Sequence, residues 1–472
     1  MFRFFWVANF GFNFYVASGG NSINLLLRRT LGRLSHCATM PDSVRSISQI
    51  KVAGFISLLI LRVKYIIMKY IFLFLLLGSM ITNLAAQPFL HTKGKEVVTA
   101  NGKPFVIKGT NLGNWLVPEG YMFHYKKATS PRLINETLTE LIGPYETEKF
   151  WRQYVKNYIT QADIHFLKTA GVNSIRLPFN YRLFTNENYL GGSGSKRALA
   201  IMDSLVKWCK KENIYVILDM HCAPAGQTGD NIDDSYGYPF LFESEEAQQL
   251  TIDVWKQIAA HYANEPTIMG YDLLNEPIPP FFDTAFFNPR LEPLYKKITA
   301  AVRSVDKKHI IFLGGAQWDS NFDVFGKPFD NNLVYTFHKY WTPPTRKVVQ
   351  QYIDFGNQYN VPIYCGETGE NTDEWITSFR QMLDSNNIGW HFWPYKKMDN
   401  SRCMVSFKQP DNYNIIAAYA DTSRQTFKDI QQYRPHEIES VKKALSDFLL
   451  NCRFENCYLN EGYIKALNFR SQ

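Results

Sequence analysis

Eight short apolar runs, each closing on polar or small residues and alternating with stretches of helical periodicity, constrain this chain more than any other feature. They cover Phe105 to Thr110, Asn173 to Leu177, Ile214 to Met220, Met269 to Leu274, His309 to Gly314, Leu333 to Phe337, Pro362 to Gly366 and Ile388 to Trp393. Runs of this length, bounded by turn residues, read as buried strands. Between them, Trp151, Val155, Tyr158, Ala162 and Phe166 step by three or four and stop at Gly171, and Leu291, Leu294, Ile298, Ala301 and Val305 repeat the pattern. No glycine-rich phosphate loop follows the first strand. The alternation therefore predicts an α/β fold, a (β/α)8 TIM barrel, in preference to a doubly wound open sheet. Upstream, Asn101-Gly102 between two apolar runs predicts a β-hairpin that caps the barrel bottom.

In such a barrel, chemistry collects where strands end. The fourth run ends in Asn275-Glu276-Pro277, a polar pair stopped by proline, which makes Glu276 the first candidate for a catalytic acid. A lone glutamate there is as well explained by a rim salt bridge, so the other strand ends must supply a partner. They do: the second contributes Arg176, the third Asp219 and His221, the sixth His338 and Tyr340, the seventh Glu367 and the eighth Trp393. Taken singly these are a rim charge, a core histidine or a packing ring; together they describe one site.

Carboxyls on strands four and seven face each other across the barrel mouth. That arrangement suits glycoside hydrolysis with retention, in which groups about 5–5.5 Å apart act as acid and nucleophile. Arg176 and Tyr340 can donate hydrogen bonds that keep Glu367 ionised, Asn275 can hold a sugar hydroxyl, and Trp393 can carry a pyranose face. The pattern calls for no metal and no cofactor: Asp230, Asp233 and Asp234 lack the spacing of a calcium loop and fit sugar or rim contacts better.

These motifs resemble glycoside hydrolase family 5, the family of cellulases, mannanases and exo-β-1,3-glucanases, over about Val97 to Trp393. The resemblance implies that Glu276, in Asn275-Glu276-Pro277, is the acid/base and that Glu367 is the nucleophile. It also matches Arg176 in Ser174-Ile-Arg-Leu-Pro178, His221 in Asp219-Met-His221, His338-Lys-Tyr340, and Trp393 in Gly389-Trp-His-Phe-Trp393. Lys108-Gly-Thr-Asn-Leu-Gly-Asn-Trp-Leu-Val117 is similar to the start of the exo-β-1,3-glucanase group, although Asn114 replaces its usual Gly and Pro118-Glu-Gly-Tyr121 replaces its usual continuation. A β-glucan oligo- or polysaccharide is the implied substrate. Endo-β-1,4-glucanase is the alternative activity, and a non-catalytic glycan-binding barrel is the alternative from another class. The segment Pro118 to Ile142 is expected to form a lid or wall over one end of the cleft.

The remaining features bear on context. Residues 68–86 have the pattern of a signal peptide, with Met68-Lys69, an apolar run and Ala85-Ala86, which places the mature start at Gln87, makes residues 1–67 an extension from a misassigned start and predicts an extracellular, periplasmic or cell-surface protein with no stable membrane anchor. Residues 87–472 are then a single catalytic domain, expected to be a monomer. The net charge of +8 is spread along the chain without a basic stripe, which argues against a nucleic-acid partner. Aromatic residues reach 15%, which fits a protein that offers rings to a ligand. Cys452 and Cys457 are close enough in sequence to pair, whereas Cys209 and Cys365 sit in apolar, core-like settings.

Overall fold

The computed structural model of the protein describes residues 87–470 together with Gly54 and 57–70. The chain divides into two units, Met1–Ala86 and Gln87–Gln472. In the first, the described residues are helical; the proposed extension and the signal peptide lie almost wholly outside the described residues. Among the described residues no helix is long and apolar enough to cross a membrane.

The second unit opens with a hairpin of β1 (Leu90–Lys93) and β2 (Glu96–Thr99), which turns at Gly94 rather than at Asn101-Gly102. The Asn101-Gly102 turn also forms, but its return arm makes one bridge, Val98 to Pro104, because proline has no N–H with which to extend the ladder. Eight parallel strands follow: β3 (Lys108–Asn111), β4 (Ser174–Asn180), β5 (Tyr215–Cys222), β6 (Ile268–Asp272), β7 (Ile310–Gly314), β8 (Leu333–His338), β9 (Ile363–Glu367) and β10 (Gly389–Phe392). They close in sequence order, β10 pairing with both β9 and β3. The hairpin caps the bottom of this (β/α)8 barrel as expected. Leu90 and Val97 pack in one apolar cluster with Tyr215, Ile217, Met269, Ile310, Phe312, Val334 and Tyr364. With its lower end sealed, the barrel is open to solvent chemistry at the carboxyl ends.

The predicted helix from Trp151 to Phe166 is two helices, α2 (Pro144–Tyr158) and α3 (Gln161–Ala170), preceded by α1 (Pro131–Ile142). Ile159 leaves helical geometry, and Thr160 with Asp163 forms a capping box that restarts the chain. The apolar stripe runs on across this break, so periodicity alone does not reveal it. Beyond the barrel, β11 (Lys396–Met398), β12 (Val405–Phe407) and β13 (Tyr458–Leu459) form a small sheet, and the helix Ile438–Asn451 packs on α1 and α2. The six described cysteines, Cys452 and Cys457 included, are free thiols.

Candidate active site

Arg176 is the pivot of the site. It lies within β4, is fully buried and spends its donors on three other strands and the loop after β6: Nε to Asp272 Oδ2 at 2.8 Å, Nη1 to Glu367 Oε1 at 2.5 Å and to Asn111 Oδ1 at 3.3 Å, and Nη2 to Asn275 Oδ1 at 2.9 Å. Asp219 Oδ1 is 3.0 Å from Nη2. Burial alone works against the guanidinium charge, but Asp219, Asp272 and Glu367 outweigh it and hold Arg176 firmly protonated. The carboxylates feel the converse. Burial raises Asp219 to about 7 and Asp272 to about 6 despite the pull of Arg176. A charged group inside an apolar strand is tolerated only when paired in this way.

Glu367 ends β9 with both oxygens engaged, Oε1 by Arg176 and Oε2 by the Tyr340 hydroxyl at 2.9 Å. Two donors, one within β4 and one just beyond β8, thus fix the orientation of this one carboxylate. Glu276 stands in different surroundings. Its Oε1 faces His338 Nδ1 at 2.8 Å, and burial lifts its carboxyl to about 7, Asp230 adding to the rise while His221 and Arg176 oppose it. Its backbone is at φ 46°, in the left-handed region, held there by Thr228 Oγ1 donating to its carbonyl at 2.9 Å. Burial keeps His338 neutral, with a pKa of about 3. The facing atoms of Glu276, His338 and Glu367 all lie within 4.8 Å of one another. The site thus holds two carboxyls at short range with different partners, Glu276 facing a histidine and Glu367 held by a guanidinium and a phenol.

These groups open into a cavity of about 670 Å³. Trp393, buried and hydrogen-bonded through Nε1 to the Tyr121 hydroxyl at 2.8 Å, lines it and stacks on His221 at 5.5 Å between ring centroids. Gly113 permits this position, since a Cβ there would come 2.7 Å from the indole. His221 donates from Nδ1 to Asp219 Oδ2 at 2.8 Å and stays neutral through burial, at about 4. His338, Tyr340 and Trp393 line the cavity together with His221, Glu276 and Glu367. Asn275 differs: it does not line the cavity, and its oxygen is taken by Arg176, so it positions the guanidinium rather than facing the opening. Asp233 and Asp234 do not line it either. Asp233 binds the backbone N–H groups of Thr228 and Gly229, and Asp234 pairs with Arg182; only Asp230 reaches the opening.

Sequence reasoning missed Glu119. It lies in the segment expected to form a wall, lines the cavity with Tyr121 and is buried, with Oε1 lacking a partner. Burial, reinforced by Glu367, Glu370 and Glu276, pushes its carboxyl well above the usual range. The rest of that segment, α1, packs on α2 instead of roofing the cleft. Asp272 and Asp319 were missed as well. The signal for Asp272 was available, as an acid inside an otherwise apolar strand must be paired. Two triads, Asp219 with His221 and Glu367, and Glu276 with His338 and Glu367, have donor atoms at metal-ligand spacing. Both share Glu367, whose Oε1 already receives Arg176, so a cation there would meet the guanidinium.

A family model described as Cellulase (glycosyl hydrolase family 5) matches residues 135–399. The chain belongs to glycosyl hydrolase family 5. Among relatives, a beta-xylosidase of Phanerodontia chrysosporium is 33% identical over 258 residues, 53% of this chain and 52% of that protein. A glucan 1,3-beta-glucosidase of Candida oleophila is 28% identical over 294 residues, 57% of this chain and 64% of the relative. Endoglucanase C of Acetivibrio thermocellus is 25% identical over 312 residues, 53% and 88% respectively. The match thus spans about half the length of the beta-xylosidase. In this family 5 chain, Glu276 lies just beyond the fourth barrel strand and Glu367 ends the seventh.

Proposed function

We propose that this family 5 protein is an exported, retaining β-glucosidase or exo-β-1,3-glucanase that releases glucose from β-glucan ends by double displacement. The observation that carries the reading is the Glu276–Glu367 pair, with oxygens within 4.8 Å. Inverting enzymes set their carboxyls about 6.5–9.5 Å apart to admit a water, a gap larger than this one. With the sugar on Trp393, Glu276 gives its proton to the glycosidic oxygen while Glu367 forms a bond to the anomeric carbon. The leaving group departs as an alcohol. Glu276, now ionised, takes a proton from water, whose oxygen displaces Glu367 and restores both groups.

For exo action the relevant residues are Glu119, Tyr121 and Trp393, which line the cavity on the β10–β3 side, with the indole of Trp393 bonded to the Tyr121 hydroxyl, and would stop a chain beyond the sugar held there. The unpartnered Glu119 Oε1 is placed to accept a sugar hydroxyl. The glucan 1,3-beta-glucosidase among the relatives supports the substrate class. Export rests on the signal pattern of residues 68–86, which ends where the second unit begins at Gln87.

Digestion of laminarin, cellulose, barley β-glucan and xylo-oligosaccharides tests the reading. Glucose is expected from laminarin at the earliest times. A ladder of cello-oligomers would replace the proposal by the endo-β-1,4 activity, xylose by a xylosidase, and tight glycan binding without products by a binding barrel.

A further inference from the structure

Four described lysines are not exposed: Lys108, Lys339, Lys396 and Lys397. Three face a carboxylate. Lys108 meets Asp384 at 3.1 Å, Lys396 meets Asp163 at 2.6 Å, and Lys397 meets Glu370 at 2.8 Å. Lys339 is the exception. Its Nζ donates to Ser320 Oγ at 3.1 Å and lies 5.4 Å from the ring centre of Tyr352, with no acid in salt-bridge range among the described residues. A partly buried ammonium without a counter-charge costs free energy that folding does not recover. Burial, accordingly, pushes its pKa down.

Lys339 lines the active-site cavity, immediately after His338 at the end of β8. Trp318, Ser320, Trp341 and Thr342 share that wall. Trp341 is 71% exposed, a large ring left at the opening without packing partners enough to cover it. Trp318 belongs to a turn in which Gln317, Trp318 and Asp319 all adopt left-handed backbone, with φ of 51°, 57° and 58°. Non-glycine residues rarely hold that conformation, and consecutive ones persist only where surroundings enforce it. Here Gln317 enforces it, its backbone N–H donating to Ile278 O at 2.7 Å and its side-chain oxygen accepting from Asn321 at 2.7 Å. The turn presents Trp318 and Ser320 to the cavity.

This wall stands across the barrel from Glu119, Tyr121 and Trp393, which belong to the β10–β3 side. If Trp393 carries the sugar that Glu367 attacks, the group leaving with the proton of Glu276 projects towards β7 and β8. We propose that the Trp318–Lys339–Trp341 wall is a leaving-group subsite for an anionic sugar, a uronic acid whose carboxylate is received by Lys339. The inference deepens the proposed function and rests on its assignment of Glu276 as proton donor. It adds to β-glucan ends, as substrates of the same site, β-linkages between glucose and a uronic acid on its reducing-end side, where the missing counter-charge of Lys339 arrives with the substrate.

The test compares kcat/KM for 4-carboxyphenyl and 4-carbamoylphenyl β-glucosides in the wild type, K339M and K339R. The ratio of the two constants, compared between enzymes, cancels the different acidities of the two phenols. The wild-type ratio should exceed that of K339M by about tenfold, the low end for a hydrogen bond to a charged group. K339R should keep most of the preference, and added salt should reduce it in the wild type. Equal ratios in wild type and K339M would overturn the proposal. A 4-phosphonophenyl glucoside separates the sources of charge: a larger gain for the phosphonate would replace the uronic acid by a phosphorylated sugar. If no glucoside is cleaved, the glucosidase reading fails, and binding of 4-hydroxybenzoate against 4-hydroxybenzamide, followed by tryptophan fluorescence, decides the subsite. Tighter carboxylate binding in the wild type that K339M loses keeps it; equal binding overturns it.

Discussion

Replacing Glu276 by Gln removes one proton and leaves the shape of the site nearly unchanged, so its effect isolates acid catalysis. Burial raises the Glu276 carboxyl from the ordinary 4.5 to about 7. At about 1.36 kcal/mol per decade of proton affinity, its surroundings disfavour the ionised form by roughly 3 kcal/mol. The sign follows directly. Below about 7 the group holds a proton and can donate it; as pH rises through about 7 the donor is lost, and wild-type kcat/KM should fall. In Glu276→Gln that alkaline limb should vanish. The size of the defect should depend on the leaving group, since general acid catalysis contributes about 10²–10⁴-fold to departure of a poor one. A sugar leaving as alkoxide needs the proton, so laminaribiose hydrolysis should fall by that factor. A 2,4-dinitrophenolate does not need it, and formation of the glycosyl-enzyme from that substrate should be nearly unaffected. Stopped-flow bursts with the dinitrophenyl glucoside and steady-state profiles with laminaribiose measure the two quantities. An equal loss on both substrates, or an alkaline limb that survives the substitution, would refute the role given to Glu276.

Two further outcomes are expected. Trp393→Ala should raise KM and lower kcat together, by roughly 2 kcal/mol or thirtyfold in kcat/KM, the scale of burying a large apolar face; a folded variant with unchanged kinetics would make Trp393 a packing residue. The exported protein should begin near Gln87, and intact mass of secreted material retaining residues 1–67 would refute the start at Met68.

The eight strands were legible because a barrel strand buried on both faces must be apolar along its length, and helices on the outside must carry a stripe. The strand ends were legible for the opposite reason: Arg176, His221, Glu276, His338 and Glu367 interrupt apolar runs, where a charge has no structural benefit unless paired or used. What stayed hidden depends on three-dimensional context. Glu119 follows Pro118 in a loop, and nothing local distinguishes a buried loop carboxyl from a solvated one. Asn275 reads as a ligand for sugar, yet Arg176 reaches it from another strand. The break between α2 and α3 is written in Thr160 and Asp163, but the apolar stripe that continues across Ile159 masks it. Lys339 sits one residue from His338 in a motif that draws attention to its neighbours, and its missing counter-charge is visible only once the cavity wall is assembled.

The most direct test of the two-glutamate account is the configuration of the product when azide replaces the missing carboxylate. In Glu367→Ala, azide should enter the vacated space and attack the anomeric carbon itself, giving a glycosyl azide of inverted configuration. In Glu276→Ala with an activated aryl glucoside, the covalent intermediate on Glu367 should still form, and azide should displace it to give the retained configuration. Proton NMR of the anomeric position distinguishes the two. Inverted azide from the first variant and retained azide from the second is the predicted result; the same anomer from both, or an inverted hydrolysis product from the wild type, would contradict it.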